Sequence, residues 1–425
     1  MNFTLGLGLL SATNLLLVFA AQAYILMALG AGSSTDAFFA SMIVPQLVAG
    51  ILATPLVGAL LPQLAGEPDE TIRRRGWTTL RAAAVTLGGA ALIVGLLSPL
   101  WIAAVLPGFP PETRRLTVEL TAIQMLGMIF TAFLAVVSCA SQAKRRFIAV
   151  EGAELVSNGL ALAALGMLLS RRGIAAAAWI YAARPLVATL LLLPILGRYL
   201  PGSPEDPFLK SLWRRLKAPI LGTAYNKLGF VVDRLLSSLV PAAGALSLFH
   251  FGDKLYAAGV DIVRSAIVTP AVPLLTEHAK AGRWSLFRSA SRRRLAAIGA
   301  ITWLVAVILF VAGKPALELL AGPGALTRED SGFLWSLLVA LDGQLIAGSL
   351  AVFLAYAFYA TGDTGTPTRV TMAATTLGIA FKIIAFSSWG LIGVAAGTSL
   401  LQCFNAIALF LLLRTRLRAP EGRPS

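Results

Sequence analysis

The sequence of 425 residues is poor in charged side chains, in histidine and in cysteine. Only 13% of its residues are charged and 57% are hydrophobic, whereas a soluble chain of this length needs far more polar surface. Cys139 and Cys403 both lie in apolar runs, so they indicate neither a disulfide framework nor a metal site. Two histidines are too few for a histidine-based metal site. These deficits indicate an integral membrane protein.

The sequence also lacks the short motifs of common enzymes. It contains no nucleophile elbow, P-loop or HExxH, so we predict a protein that is not an enzyme and has no cofactor. Its energy source would be a gradient of Na⁺ or H⁺, or the membrane potential. Acidic residues number 20 against 35 basic ones. Since the basic residues cluster between apolar runs without a basic-aromatic module, the excess indicates membrane topology and no nucleic-acid partner.

Long apolar runs are the dominant feature of the chain. They are near 20 residues long and do not alternate with polar residues, which predicts membrane-spanning α-helices and an all-α fold. Most loop Lys and Arg fall on one side if the amino terminus is cytoplasmic, so both termini are predicted inside. We predict twelve spans, at about 5–29, 36–62, 80–106, 117–140, 148–169, 174–197, 218–240, 244–273, 295–313, 333–360, 369–387 and 390–413.

A polar segment near the middle of the chain divides six spans from six. Asn14 and Asn226 occupy similar positions in spans 1 and 7, and Pro62 and Pro273 end spans 2 and 8. Internal repeats of this kind are common in secondary transporters, whose substrate path lies between the halves. We therefore predict two six-helix lobes related by a pseudo-two-fold. The predicted divisions are an amino-terminal lobe at 1–200, a cytoplasmic linker at 201–217, a carboxy-terminal lobe at 218–413 and a cytoplasmic tail at 414–425.

Spans 7 and 8 contain basic residues deep within apolar helices. Each such charge costs about 2.5–3.5 kcal/mol on insertion scales, so it needs a partner or a wet cavity. One alternative is that the charges form ion pairs between helices or within one, such as Asp261 with Arg264. The other is a central cationic cavity for a phosphorylated substrate, whose oxygens Lys and Arg bind well. The residues predicted to line this cavity are Lys227, Arg234, Lys254 and Arg264.

Four stretches resemble one known family. They are GAGSSTDAFFASMIVPQL (Gly30–Leu47), VVDRLLSSLVPAAGALSLFHFGDKL (Val231–Leu255), TPAVPLL (Thr269–Leu275) and LAYAFYATGDTGTPTRV (Leu354–Val370). Together they resemble the MurJ/MviN family, the lipid II flippases of the MOP superfamily. The resemblance implies two six-helix lobes around a cationic cavity and alternating access in the bacterial inner membrane. It implies an undecaprenyl-pyrophosphate-linked glycan as substrate.

The resemblance also implies roles for two residues of span 2. Asp36 matches the family's acid, which implies a gate residue, although an N-cap role would also explain an Asp at that position. Pro45 would let the same helix bend at the gate. Family members usually carry arginines in the regions that read FAAQAY (Phe19–Tyr24) and PQLVAGIL (Pro45–Leu52) here, and this sequence has none. The substrate class implied is therefore a lipid-linked pyrophosphate glycan rather than one particular precursor.

Some family members bind sodium in the second lobe, and part of that site has counterparts here. Asp233 and Thr398 match it, whereas Lys382 stands where another acid would be expected. We hypothesise that the Lys382 ammonium occupies the sodium position and pairs with Asp233.

The leading prediction is a flippase for a lipid-linked cell-wall or exopolysaccharide precursor. Its partners would be that substrate, membrane lipids and other synthesis proteins of the same kind of pathway. A MATE-like exporter of small organic cations is one alternative, although it should place acids in its cavity. A membrane scaffold that transports nothing and uses its polar stripes to bind partner helices is another.

Overall fold

The computed structural model describes residues 2–200, 202, 207–321 and 326–418, and these residues form helices joined by short turns. A π-helical turn, Arg264–Val268, lies between the tenth and eleventh α-helices. The α-helices are α1 (Asn2–Leu29), α2 (Ser33–Ser41), α3 (Ile43–Leu64), α4 (Asp69–Leu96), α5 (Ser98–Val105), α6 (Pro111–Ala143), α7 (Phe147–Leu196), α8 (Pro207–Asn226), α9 (Leu228–Ser238), α10 (Ala245–Val263), α11 (Thr269–Lys280), α12 (Trp284–Ala321), α13 (Arg328–Ala360) and α14 (Gly365–Arg418).

Nine helical segments of the described residues are long and apolar enough to cross a membrane. One of them, α7, has 50 residues, but it is broken at Gly173, where φ is 62° and ψ is −154°. The Ser157 hydroxyl donates to the carbonyl of Arg184 at 2.5 Å, although these residues would lie about 40 Å apart in a straight helix. The chain therefore turns back at Gly173, and α7 is a hairpin of two spans.

The last helix is a second hairpin. Within α14, Gly390 has φ 55° and ψ −137°. Arg416 forms an ion pair with Asp363 at 2.5 Å, across a sequence separation that would span about 80 Å in a straight helix. With α8 and α9 in the region predicted as span 7, the described helices account for about twelve crossings. The predicted all-α membrane fold is confirmed, and the helices extend beyond most predicted spans.

The first compact unit comprises Met1–Ser247 with Gly324–Leu326. One of its cores contains Phe38 and Tyr181, whose rings meet edge to face with centroids 5.3 Å apart. It also contains α8 and α9, and α8 packs against α3. The predicted linker lies partly outside the described residues, as does the predicted tail beyond Arg418, so the predicted division into lobes stays a prediction.

The second compact unit comprises Leu248–Pro323 and Thr327–Ser425. In it α10 and α13 run in the same direction: Gly252 faces Leu338 and Leu341, and Gly259 faces Leu345. Both helices correspond to even-numbered predicted spans, which must cross the membrane in the same sense. Their common direction agrees with the predicted order of spans.

Candidate functional site

Asp36 is buried, with 5% of its surface exposed, and it caps a helix other than its own. Its Oδ2 accepts from the backbone N–H of Gly244 at 2.7 Å. Its Oδ1 accepts from the N–H and the hydroxyl of Ser247 at 2.8 and 2.5 Å. Since α10 begins at Ala245, these are the free N–H groups of the residue before the helix and of its third residue. Asp36 is therefore not the N-cap of its own helix, where that position is Gly32. It accepts at the start of α10, 208 residues later in the sequence, and a gating role stays a prediction.

The helix that carries Asp36 is interrupted before Pro45. Met42 separates α2 from α3, with φ −83° and ψ −5°. Proline has no N–H for the carbonyl four residues earlier and clashes with it, and here that carbonyl belongs to Ser41, the last residue of α2. The bend expected from Pro45 therefore lies at Met42.

Lys227 is half-buried at a break between two helices. It separates α8 from α9, with φ −80° and ψ −7°. Its side chain lies along α3 at Gly50, where a Cβ would come within 2.8 Å of the Lys227 Cε and 3.2 Å of its Nζ. Gly50 therefore provides the space that the ammonium-bearing chain occupies, and sequence reasoning did not identify it.

Arg234 follows Lys227 on α9 and is almost fully buried, at 1% exposure. Its guanidinium carbon lies 4.8 Å from the centroid of the Phe230 ring, within cation–π range. The end of α9 is held closely, because the carbonyl of Ser238 lies where Gly108 would carry a Cβ. The first unit thus holds two of the four predicted cavity residues, one at the start of α9 and one within it.

The other two predicted cavity residues, Lys254 and Arg264, lie in the second unit. Arg264 pairs with Asp261 at 3.0 Å, as the ion-pair alternative expected, and both side chains remain partly exposed. Arg264 also begins the π-helical turn. Pro270 follows and has no N–H for the carbonyl of Ala266, so the hydrogen bonding shifts to the wider i−5 pattern, seen from Thr269 to Arg264.

Two carboxylates of the second unit bridge α10 and α13. The Tyr256 hydroxyl lies 2.5 Å from Asp342 Oδ1 and 2.9 Å from the carbonyl of Leu338. The Gln344 amide donates to Asp253 Oδ1 at 3.2 Å. Sequence reasoning overlooked Asp342, although an acid inside an apolar run of this length is itself a signal of function.

Lys382 and Thr398, predicted as part of an ion site, lie on the two arms of the α14 hairpin. Both are buried, at 2% and 9% exposure. The arms touch there, because a Cβ on Gly397 would lie 2.6 Å from the Lys382 Cγ. Asp233 belongs to the first unit, so its pairing with Lys382 stays a prediction.

The family model described as "Lipid II flippase MurJ" matches residues 25–424. The chain belongs to the MurJ family. Among curated MurJ-family relatives, a probable lipid II flippase of Rhizobium tropici is 23% identical over 420 residues, covering 94% of this chain and 78% of that protein. One of Thermotoga maritima is 23% identical over 393 residues, covering 92% and 79%. The resemblance on the four quoted stretches is thereby confirmed.

Solved structures of MurJ and of MATE transporters share the fold. A lipid II flippase MurJ in an inward closed conformation superposes with a TM-score of 0.86 at 16% identity, covering 96% of this chain and 87% of that one. An inward-facing multidrug resistance MATE transporter of the MOP superfamily gives 0.81 at 15% identity, covering 96% and 95%. These likenesses concern the fold alone. Since the family model is that of MurJ, the MATE-like alternative has less support.

Proposed function

We propose that this chain is a flippase that moves a polyprenyl-pyrophosphate-linked saccharide across the bacterial inner membrane by alternating access. The match of the MurJ family model to residues 25–424 carries the proposal. Relatives with the same family name are described as probable lipid II flippases. The excess of Lys and Arg in the loops on one side of the predicted spans supports cytoplasmic termini.

The proposed substrate contacts are the basic side chains of spans 7 and 8. Lys227 lies at the start of α9 and Arg234 within it, and Lys254 and Arg264 lie on α10 and the π-helical turn that follows it. Guanidinium and ammonium groups bind phosphate oxygens through charge-assisted hydrogen bonds, which are stronger in a site that excludes water. The pyrophosphate would be held by these residues while the saccharide crosses.

In this proposal the membrane potential is sufficient to drive the substrate outward. The pyrophosphate carries negative charge outward, away from an interior that is electrically negative, so the membrane potential favours its movement. Each elementary charge gains about 2.3 kcal/mol per 100 mV. Coupling to Na⁺ or H⁺ through Asp233, Lys382 and Thr398 would add to this force.

Reconstituted vesicles test the proposal. A polyprenyl-pyrophosphate disaccharide is placed in both leaflets, and a membrane-impermeant enzyme that removes the sugar is added outside. The protein should expose nearly all of the lipid to the enzyme, whereas protein-free vesicles should expose only the outer-leaflet fraction. A second arm measures uptake of an organic cation. Cation transport without lipid exposure would replace the proposal with the MATE-like alternative.

A further inference from the structure

The first unit contains an apolar cavity of about 410 Å³ among four helices. Its walls come from α3, α4, α6 and α8, so every helix that forms it belongs to one compact unit. The volume lies in the range of pockets that bind small molecules. Its walls include Ala49, Leu52, Ala83, Ala132, Leu216 and Ile220.

Among the described residues of its walls, the threonines present no free hydroxyl donor to this cavity. Thr79, Thr86 and Thr131 are its threonines. Each hydroxyl donates to the carbonyl four residues earlier on its own helix, at 2.8, 2.7 and 2.8 Å. The other described wall residues are aliphatic, apart from the Met128 thioether and the Trp213 ring. A ligand here is bound by apolar contact, so an aliphatic chain fits and a sugar or phosphate does not.

A smaller cavity of about 200 Å³ adjoins the apolar one. The two share Ala82 and Leu209, and the smaller one adds Thr78 and Arg81 to its walls. Arg81 is exposed and donates to the Tyr199 hydroxyl at 3.2 Å through one nitrogen of its guanidinium. Arginine offers five N–H donors, so the group retains donors for an anionic oxygen. An apolar cavity with a guanidinium at its edge matches a lipid that joins an aliphatic tail to a phosphate.

Two helices of the cavity wall, α3 and α8, also adjoin Lys227 of the predicted cationic path. On α3, Ala49 lines the cavity and its neighbour Gly50 faces Lys227. On α8, Ile220 lines the cavity two helical turns before Lys227. A helix is about 10–12 Å across, so a tail in this cavity lies within reach of a head group moving toward Lys227. This continuity favours the transported lipid over a bystander phospholipid.

We propose that this cavity binds the isoprenoid tail of the lipid-linked substrate, with the phosphate next to it contacted by Arg81. The inference rests on the proposed flippase function and names where that function holds the tail. It assigns a tail site to α3, α4, α6 and α8.

The test uses diazirine-tagged polyprenyl pyrophosphate, without a saccharide, and the full chain in lipid nanodiscs. Photo-crosslinks should map to the residues that line the cavity. Unlabelled polyprenyl pyrophosphate should compete with the probe, whereas phosphatidylglycerol should not. Crosslinks found elsewhere, or equal competition by phosphatidylglycerol, would overturn the proposal, and the latter would assign the cavity to bilayer lipid.

Matched variants sharpen the test. Ala83→Phe fills the cavity and should lower crosslinking roughly tenfold, as expected from the loss of buried methylene contacts. Ala84→Phe, exposed on the same helix and absent from the cavity wall, should leave crosslinking unchanged. If Ala83→Phe does not fold, Ala132→Leu replaces it, and the crosslink map of the unaltered chain stands independently. Equal crosslinking by both phenylalanine variants would contradict the proposal.

Arg81→Gln separates the phosphate contact from the tail contact. It should weaken polyprenyl pyrophosphate binding and leave the neutral polyprenol unaffected, whereas equal effects on both would refute the contact. The outcomes also distinguish this inference from the proposed function. Cavity crosslinks in a chain that flips nothing would retain the tail site and reject the flippase. Normal lipid flipping by the unaltered chain and by Ala83→Phe, with no crosslinks in the cavity, would reject the tail site and retain the flippase.

Discussion

At the scale of single residues, Asp36 is expected to contribute stability as a cap. Asp36→Ala would leave the buried N–H groups of Gly244 and Ser247 without their acceptor. An unsatisfied buried donor costs about 1–3 kcal/mol, so we expect a loss of about 2–3 kcal/mol in the free energy of unfolding. Chemical unfolding in detergent, followed by tryptophan fluorescence, measures it.

Asp69→Ala is the matched control for that prediction. Asp69 also carries a carboxylate at a helix start, but it is 72% exposed and pairs with Lys144. Exposed pairs contribute about 0–1 kcal/mol. A loss in Asp36→Ala no larger than in Asp69→Ala would show that the three hydrogen bonds do not stabilise the start of α10.

Gly50 is expected to matter for transport through Lys227. Gly50→Ala places a methyl group where the Lys227 side chain lies, 2.8 Å from its Cε. Because this is the far end of a flexible side chain, the protein should fold while the ammonium shifts. A displacement of about 1 Å can cost up to about 100-fold in rate, so lipid translocation in vesicles should fall roughly tenfold. Gly58→Ala, on the same helix with open space at its Cβ, should transport normally. A normal rate in Gly50→Ala would remove Lys227 from the substrate path.

Asp363 lies outside the membrane spans and is expected to make the local stability of the turn before α14 depend on pH. The backbone N–H of Thr366, its hydroxyl and Arg416 hold the pKa of this carboxyl below its ordinary value of 3.8. A lowered pKa means that the carboxylate's contribution is fully present above that value and is lost as the pH falls through the pKa of the folded state. Hydrogen exchange at Thr366, corrected for its intrinsic rate, should therefore rise only in strong acid. Asp363→Asn should exchange quickly at every pH, and a transition near neutral pH in the unaltered chain would contradict the assignment.

The sequence predicted some of the candidate site and not the rest. Asp261 with Arg264 was foreseeable, because residues three apart share a helix face. The partners of Asp36 were not, since no local pattern links it to donors 208 and 211 residues away. Gly50 was equally hidden, because a glycine in an apolar run signals nothing until the side chain opposite it is known.

At the scale of elements, the two hairpins depend on a glycine conformation. Gly173→Ala puts a side chain at φ 62° and ψ −154°, a region essentially limited to glycine. We expect about 1–3 kcal/mol of destabilisation from the backbone alone, because nothing lies within 4 Å of the new Cβ. Gly166→Ala, mid-helix in the same hairpin and equally unobstructed, should instead stabilise by about 0.5–1 kcal/mol. Unfolding midpoints that move in the same direction would refute the role of Gly173.

The hydropathy of the chain predicted the helices better than their interruptions. Apolar runs identified the spans, including both arms of α7 and α14, since each run is about as long as a bilayer is thick. The break at Lys227 was not foreseen, because neither proline nor glycine marks it. A bend near Pro45 was predicted from the sequence. Its position at Met42 follows because proline has no N–H for the carbonyl of Ser41 and clashes with it.

At the scale of the whole molecule, the proposed apolar site and the proposed charged site would bind the two ends of one lipid. The tail of the lipid would stay in apolar surroundings while the charged head group moves between basic residues. Helices broken at Lys227 and widened at Arg264 are suited to such movement, because interrupted helices bend at defined points.

Translocation of a polyprenyl-pyrophosphate disaccharide by proteoliposomes tests the central claim most directly, when single neutralised variants are compared. Lys227→Gln, Arg234→Gln, Lys254→Gln and Arg264→Gln should each lower the rate roughly tenfold or more, since each removes a charge-assisted contact. Arg115→Gln, an exposed pair partner of Glu119, is the control and should keep the rate. Wild-type rates in all four variants, or losses fully explained by lower yields of folded protein, would contradict the claim and favour the non-transporting scaffold.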